Sequence, residues 1–275
     1  MALTINTNMA SMLVQKNMNA STTALNTAIQ RMTTGYRINS AKDDAAGMAV
    51  AIKLDTQLGS YDVASQNVQM GSALLTTLEE NNNLVLGHLQ RIRDLAEQCA
   101  NDVYDDSSKK AIEAEINARM DEINRLADSV EFNGTKLMNG AKTINIQVGI
   151  NGTTNDRIAV GSATGSAKIA DILSSYQSGG AITANATAAL AKIDTAIGTI
   201  KTRITTIGAF QNRLDSAAES IEVARSNLSS ALSTVRDADV STESSNYIRA
   251  QILQQSAAAL LTTANQSPSI ALNLI

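Results

Sequence analysis

The strongest constraint on this 275-residue chain is an apolar heptad pattern near its C-terminal end. Apolar side chains recur at alternating steps of three and four residues over residues 190–235, and only Gln211 and Arg225 interrupt the series. Such a pattern is typical of a coiled-coil helix. At 1.5 Å per residue this helix would be roughly 65–70 Å long. Compact folds rarely contain so long a helix.

The same pattern recurs in the first half of the chain. It covers residues 64–99, where Gly71 and Asn82 are the exceptions, and a shorter version predicts a third helix over residues 107–130. The polar run 101–106 separates the two and predicts a turn that returns the third helix antiparallel to the second. These patterns together predict a mainly α fold built from long antiparallel helices.

Three polar residues interrupt the heptad patterns: Asn82, Gln211 and Arg225. Polar residues inside such a pattern reduce stability but can fix register and partner number. They therefore either specify how the helices align or lie at a bend or a solvated edge, and the sequence leaves both readings open.

The character of the sequence changes after residue 130. Three Asn-Gly pairs, at 133–134, 139–140 and 151–152, use the dipeptide that favours type I′ turns. Residues 143–150 and 157–160 are rich in β-formers and predict a small β-hairpin element. Residues 161–187 are rich in Gly, Ser, Ala and Thr, which predicts a short surface connection.

Composition excludes several classes of function. Aromatic residues make up 3% of the chain, with one Pro and no Trp, as suits long helices packed through aliphatic side chains. One His and one Cys cannot form a His/Cys metal cage within one chain, which disfavours most enzyme classes. We predict no enzyme activity and no cofactor. A net charge of −4 without a basic stripe argues against nucleic acid. The absence of a long apolar run argues against membrane insertion.

Single candidate residues support only modest interpretations. Asp43 and Asp44 could act as paired carboxylates, but adjacent helical positions point about 100° apart, which favours a solvated or salt-bridged motif. His88 lies beside the heptad position Leu89, and a helix-surface or interface imidazole is the default interpretation. Cys99 occupies a heptad position, which predicts a buried small hydrophobe.

The two ends of the chain carry no charged side chains. The first charged side chain of the whole chain is Lys16 and the last is Arg249. Both ends nevertheless keep a helical spacing of apolar residues. Uncharged, weakly amphipathic ends are a plausible association surface, because nothing on them repels a neighbouring copy. Disordered tails are the alternative for the free monomer, with order arriving on assembly.

Four segments carry a resemblance to bacterial flagellin. Residues 25–47, LNTAIQRMTTGYRINSAKDDAAG, resemble the N-terminal signature of that family, and LQRIRDLAEQCAN at 89–101 matches as well. FNGTKLMNG at 132–140 and ALLTTANQSP at 259–268 complete the resemblance, which covers roughly the first 140 and last 90 residues. The chain looks like a short flagellin that holds only the filament-core and rod domains.

The resemblance implies an elongated antiparallel coiled-coil rod with a small β-hairpin element and terminal helices that pair in a filament core. We expect residues 1–45 and 236–275 to form the terminal coiled-coil domain. Residues 46–160 and 188–235 would form the rod, and 161–187 would be the surface connection that replaces outer domains.

The resemblance also implies a function in motility. The chain would be a secreted structural subunit that polymerises with itself into the extracellular flagellar filament, after passage through the flagellar export apparatus with an export chaperone and addition under a filament cap. A hook-associated junction protein is the alternative, whereas an enzyme or a cytoplasmic coiled-coil scaffold fits less well. The residues expected to carry self-assembly are Leu25, Ile29, Arg31, Met32, Leu253, Leu260 and Leu261.

A further expectation concerns the host. Many flagellins expose a rod site that Toll-like receptor 5 recognises, and its pattern maps onto Gln90, Arg91, Leu95 and Glu115. Arg91 could offer bidentate hydrogen bonds, although an exposed Arg beside a Glu is more often a solvated pair of little energetic value.

Overall fold

The structure is a computed structural model that describes residues 7–161, 163–173 and 186–272. Six helices dominate the described part: α1 (Met9–Thr34), α2 (Ala45–Cys99), α3 (Asp106–Ser129), α4 (Ile169–Ile172), α5 (Ala186–Arg236) and α6 (Val240–Leu272). The strands are short: β1 (Glu131–Phe132), β2 (Thr135–Lys136), β3 (Ile144–Gln147) and β4 (Arg157–Val160). The prediction of a mainly α fold with a small β element is confirmed.

The chain divides into two units. Met1–Leu58 and Asn227–Ile275 form one, here called the terminal unit, and Gly59–Ser226 form the other, the central unit. Both boundaries fall inside the long helices α2 and α5 rather than in connecting segments. The domain limits expected from the family resemblance stay predictions.

The heptad positions form the core of the central unit. In α2, every heptad position from Ala64 to Cys99 is buried, including the exceptional Gly71 and Asn82. The heptad positions of α3 are buried as well, and those of α5 are buried or half-buried as far as Arg225. The apolar spacing therefore identified the packed faces of all three helices correctly.

Three polar contacts join α2 to α5 along the central unit. Arg93 Nε donates to Asp194 Oδ1 at 2.7 Å, Gln211 Nε2 donates to Glu79 Oε2 at 2.8 Å, and Arg225 pairs with Asp62 at 2.7 Å, N to O. From the first of these contacts to the last, the residue number decreases along α2 and increases along α5. The two helices therefore run antiparallel.

These contacts decide between the two readings of the polar heptad residues. Gln211 and Arg225 each bind a carboxylate of the facing helix, which favours the alignment role. Asn82 behaves differently, because its Nδ2 donates to the Leu78 carbonyl of its own helix at 2.7 Å. Its buried Oδ1 has no hydrogen-bond partner among the described residues.

Two hairpins follow α3. Asn133 and Gly134 both have positive φ, at 49° and 73°, and form the two-residue turn between β1 and β2, as the Asn-Gly pair predicts. The other two pairs do not form this turn, because Asn139 and Asn151 keep negative φ. The predicted hairpin is confirmed as β3 paired antiparallel with β4, from Ile144 opposite Val160 to Gln147 opposite Arg157.

The β3–β4 hairpin explains the first exception in the α2 pattern. A Cβ atom at Gly71 would lie 2.7 Å from Cδ1 and 3.0 Å from Cγ2 of Ile146, closer than packed carbon atoms approach. The missing side chain on α2 therefore lets β3 pack directly on the helix.

Part of the segment expected to be a surface connection at 161–187 packs into the core instead, over residues 163–173. Ala163, Ala167, Ile169 and Leu173 are buried in the core of the central unit. The guanidinium of Arg203 donates to the carbonyls of Gly165 and Ser166, at 3.2 and 2.8 Å. Small residues suggested a linker, but their size also allows close packing. Residues 162 and 174–185 lie outside the described residues.

The terminal unit is built on the pairing of α1 with α6, which are in contact along their length. The hydrophobic side chains that are fully buried in the described part of these two helices are alanines: Ala28 on α1, and Ala250 and Ala257 on α6. Gly35, with φ 74°, ends α1. Beyond it, the segments at 35–37 and 236–238 are joined by backbone hydrogen bonds from Arg37 N to Arg236 O (2.7 Å) and from Ala238 N to Gly35 O (2.9 Å).

Asp43 and Asp44 organise the start of α2. Asp43 Oδ2 accepts the backbone N–H of Ser40 at 3.0 Å, and this bond lowers the pKa of the carboxyl below its usual range. Asp44 Oδ1 accepts the N–H of Gly47 at 2.9 Å, as an N-cap does. A Cβ at Gly47 would lie 2.6 Å from Ile38 Cδ1. Both carboxylates are exposed, but they precede α2 instead of lying within a helix, and they shape a turn and a helix start.

Candidate assembly surface

The terminal unit exposes an unusual amount of apolar side chain. In the described residues of this unit, Ile38 is the one large aliphatic side chain that is fully buried. Large hydrophobic side chains that are between 38% and 68% exposed lie on α1, at the start of α2 and on α6: Met9, Met12, Leu13, Ile29, Met32, Tyr36, Val50, Ile52, Val240, Ile248, Ile252, Leu253 and Leu260. Together they form the candidate assembly surface.

The sequence-predicted assembly residues divide into two groups. Leu25 and Leu261 are half-buried. Ile29, Met32, Leu253 and Leu260 are exposed and belong to the candidate assembly surface. Arg31 belongs to neither group, because its guanidinium forms an ion pair that crosses the helix pair.

That ion pair lies in a groove between α1 and α6. The groove has a volume of about 460 Å³, and its lining includes Arg31, Glu243, Asn246, Arg249 and Leu253. Arg31 Nη1 lies 2.9 Å from Oε1 of Glu243, whose side chain is only 9% exposed. Because a buried carboxylate without a partner is strongly unfavourable, the pair specifies how α1 sits against α6. Sequence reasoning missed Glu243, although it is one of the last charged residues before the uncharged end.

Further polar contacts hold α1 and α6 in antiparallel register. Gln254 Nε2 donates to Thr22 Oγ1 at 3.1 Å, and Ser11 Oγ donates to Asn265 Oδ1 at 2.8 Å. With the Arg31–Glu243 pair, these contacts span the described helix pair. The polar residues therefore fix the pairing, while many large apolar side chains of the two helices remain exposed.

Within the described residues no group of His, Cys, Asp and Glu could hold a metal ion. The described helices include none that is long and apolar enough to cross a membrane. Cys99 is buried, as predicted, and burial raises the pKa of its thiol.

The four residues expected to form a receptor site lie on α2 and α3 of the central unit. Arg91 Nε donates to Glu115 Oε1 at 3.2 Å, and both side chains are exposed, as is Gln90. Hydrogen bonds from Arg119 and Arg91 lower the pKa of Glu115. Leu95 is only 1% exposed and packs in the core. The structure therefore brings Arg91 and Glu115 together, leaves Gln90 exposed and buries Leu95 in the core.

Comparison with known families identifies the two ends of the chain. Residues 5–143 match the bacterial flagellin N-terminal helical region, and residues 190–275 match the bacterial flagellin C-terminal helical region. The matched regions contain both α1 and α6, and therefore every residue of the candidate assembly surface.

Two curated relatives match over almost the whole chain. The flagellar filament 30.7 kDa core protein of Treponema maltophilum is 32% identical, over 98% of this chain and 99% of its own. A flagellin of Halalkalibacterium halodurans is also 32% identical, over 98% of this chain and 99% of its own. Their lengths show that a short chain of this kind is an established form.

Among solved structures, the fold resembles a protein of Vibrio parahaemolyticus described as flagellar hook-associated. The similarity has a TM-score of 0.59 and 14% sequence identity, and covers 71% of this chain and all of the other. At this identity the likeness concerns the fold alone.

Proposed function

Since this chain belongs to the bacterial flagellin family, we propose that it polymerises into the flagellar filament through the candidate assembly surface of its terminal unit. Flagellins are structural proteins, and the chain is a structural filament subunit. The observation that carries the proposed interface is the contrast between a well-packed central unit and a terminal unit whose large apolar side chains are exposed.

The energetics favour another copy of the chain as the partner. Fully burying one Leu, Ile or Met side chain contributes about 1.5–3 kcal/mol. The terminal unit exposes more than ten large hydrophobic residues, and a partner that covered most of them would offset the entropic cost of association. The terminal segments before Lys16 and after Arg249 carry no charge, so two copies meet there without repulsion.

Geometry favours an open lattice. Contacts in which different surfaces of the two copies meet generate a helical filament when the rotation does not close a ring. The candidate assembly surface includes residues of α1, of the start of α2 and of α6, so different parts of it would contact different neighbours in such a lattice. Export through the flagellar apparatus, escort by a chaperone and addition under a cap are proposed from family membership.

Polymerisation of the purified chain tests the proposal. We expect filaments after heating and seeding, visible by electron microscopy. Leu260→Ser, at a side chain that is 59% exposed on α6, should raise the critical concentration, because the serine forfeits part of the buried apolar area. Val103→Ser is the matched control, since Val103 is 86% exposed but belongs to the central unit.

Two results would contradict the proposal. One is a wild-type chain that remains a fixed small oligomer while a strain lacking it swims normally. The other is equal polymerisation of wild type and Leu260→Ser, which would place the interface elsewhere. The hook-associated alternative predicts a junction component, so a filament built from this chain alone would contradict that alternative.

Recognition by Toll-like receptor 5 is a second proposed function, favoured by the exposed Arg91–Glu115 pair. Arg91→Ala should abolish receptor activation while filaments still form. Arg125→Ala is the matched control, because Arg125 forms a comparable exposed pair with Glu122 on α3. Leu95→Ala should act through lost core packing instead, because Leu95 is buried. An inert wild-type chain would end this proposal without touching the first.

A further inference from the structure

The single proline of the chain lies inside a helix. Pro268 is within α6, which continues to Leu272. Proline has no backbone N–H, so it cannot donate to the carbonyl four residues earlier. In α6 that carbonyl belongs to Ala264, which therefore lacks its regular backbone donor four residues later.

The donor comes from the start of α1. Asn8 Nδ2 donates to the Ala264 carbonyl at 2.8 Å, across the helix pair. Asn8 is also the N-cap of α1, where its Oδ1 accepts the backbone N–H of Ser11 at 3.1 Å. One side-chain amide therefore satisfies an unpaired donor at the beginning of one helix and an unpaired acceptor near the end of the other.

We propose that Asn8 is the positioning residue that allows α6 to continue through Pro268, and that it couples the order of the last turns of α6 to the capped start of α1. The end of α6 is then stable only when it is paired with α1. This goes beyond the proposed assembly function, because it concerns how the two ends of one subunit order each other.

The residue type is well matched to this role. The α1 cap needs an acceptor and the Ala264 carbonyl needs a donor, and an amide supplies both at its two terminal atoms. Aspartate has the same shape and keeps the cap, but an ionised carboxylate has no hydrogen to donate. Serine also caps a helix well, but its hydroxyl is on a shorter side chain that does not reach Ala264.

Hydrogen exchange on the full-length chain tests this inference. Protection of the amides at 265–272 is measured by mass spectrometry in the free subunit and in the polymer. Asn8→Ser and Asn8→Asp should each reduce this protection by about tenfold, the effect of one lost hydrogen bond. Asn19→Asp, at an exposed position on α1, is the control for added charge.

The decisive comparison repeats Asn8→Ser in a Pro268→Ala background. Alanine at position 268 has a backbone N–H that can donate to the Ala264 carbonyl. The serine substitution at Asn8 should then change the protection of residues 265–272 by less than about twofold. An equal loss in both backgrounds would overturn the inference, because Asn8 would then be an ordinary contact. A wild type without protection at 265–272 in either state would also overturn it. Protection without polymerisation would leave it standing and contradict the proposed function.

Discussion

Replacing Gly71 by alanine tests the packing of the β3–β4 hairpin on α2. Alanine in place of glycine inside a helix stabilises by about 0.5–1 kcal/mol through backbone entropy. At Gly71 the new Cβ would lie 2.7 Å from Cδ1 and 3.0 Å from Cγ2 of Ile146. Overpacking of this kind costs about 1–3 kcal/mol. The free energy of unfolding should therefore fall by between about zero and 2.5 kcal/mol.

Gly87 provides a matched control in the same helix. A Cβ at Gly87 would meet nothing within 4 Å, so Gly87→Ala keeps the entropic gain without the clash. Gly87→Ala should raise the free energy of unfolding by about 0.5–1 kcal/mol. The two variants should therefore differ by about 1–3 kcal/mol, which is the cost of the close approach.

Urea unfolding of the monomeric chain, followed by far-UV circular dichroism, measures the difference. A second cycle in an Ile146→Val background removes Cδ1, the closest atom to the new methyl group. The penalty of Gly71→Ala should then shrink by at least about 0.5 kcal/mol, as expected for residues in contact. Equal stabilisation by Gly71→Ala and Gly87→Ala would refute the reasoning, since the hairpin would not be held against α2 as described.

Three further predictions concern polar groups. Arg31→Ala should destabilise the terminal unit more than Arg31→Ala combined with Glu243→Ala, because the single variant leaves a buried carboxylate unpaired; thermal unfolding compares the two. Asn82→Leu should be neutral or raise the free energy of unfolding by about 1 kcal/mol, because it removes a buried oxygen without a partner; a clear loss in urea unfolding would contradict this. Hydrogen bonds from Ser108 and the neighbouring serine lower the pKa of Asp105 to about 2. Its stabilisation of α3 is therefore complete above its ordinary pKa of 3.8 and is lost as the pH falls towards 2. Asp105→Asn keeps the cap and should abolish this pH dependence, measured by hydrogen exchange in the first turn of α3.

Much of the fold was predictable because long heptad patterns are strong signals. Each pattern repeats over dozens of residues, so a few exceptions do not obscure it. The exceptions themselves were ambiguous for a physical reason. Gln211 and Gly71 break the pattern equally, yet one binds a carboxylate on the facing helix and the other makes room for a strand. Only the identity of the facing residue distinguishes these cases.

The candidate assembly surface was partly predictable. Uncharged ends with helical spacing indicated association, and the exposed positions of Ile29 and Leu260 agree with that interpretation. Glu243 was missed, since its importance depends on Arg31 lying across the groove, more than two hundred residues away in sequence. Leu95 was expected in a receptor site, but its burial is decided by the packing of α2 in the core.

The long helices, their buried faces and the family could be inferred from sequence alone, because periodicity and motifs are properties of neighbouring residues along the chain. The tertiary structure decided what small and polar residues do. Small residues such as Gly165 and Ser166 suggested a surface connection. In the fold, the guanidinium of Arg203 donates hydrogen bonds to the carbonyls of both. Pro268 should end a helix by its local chemistry, and α6 continues through it where Asn8 supplies the missing donor. Such roles depend on partners that are close in space and distant in sequence, which local patterns do not encode.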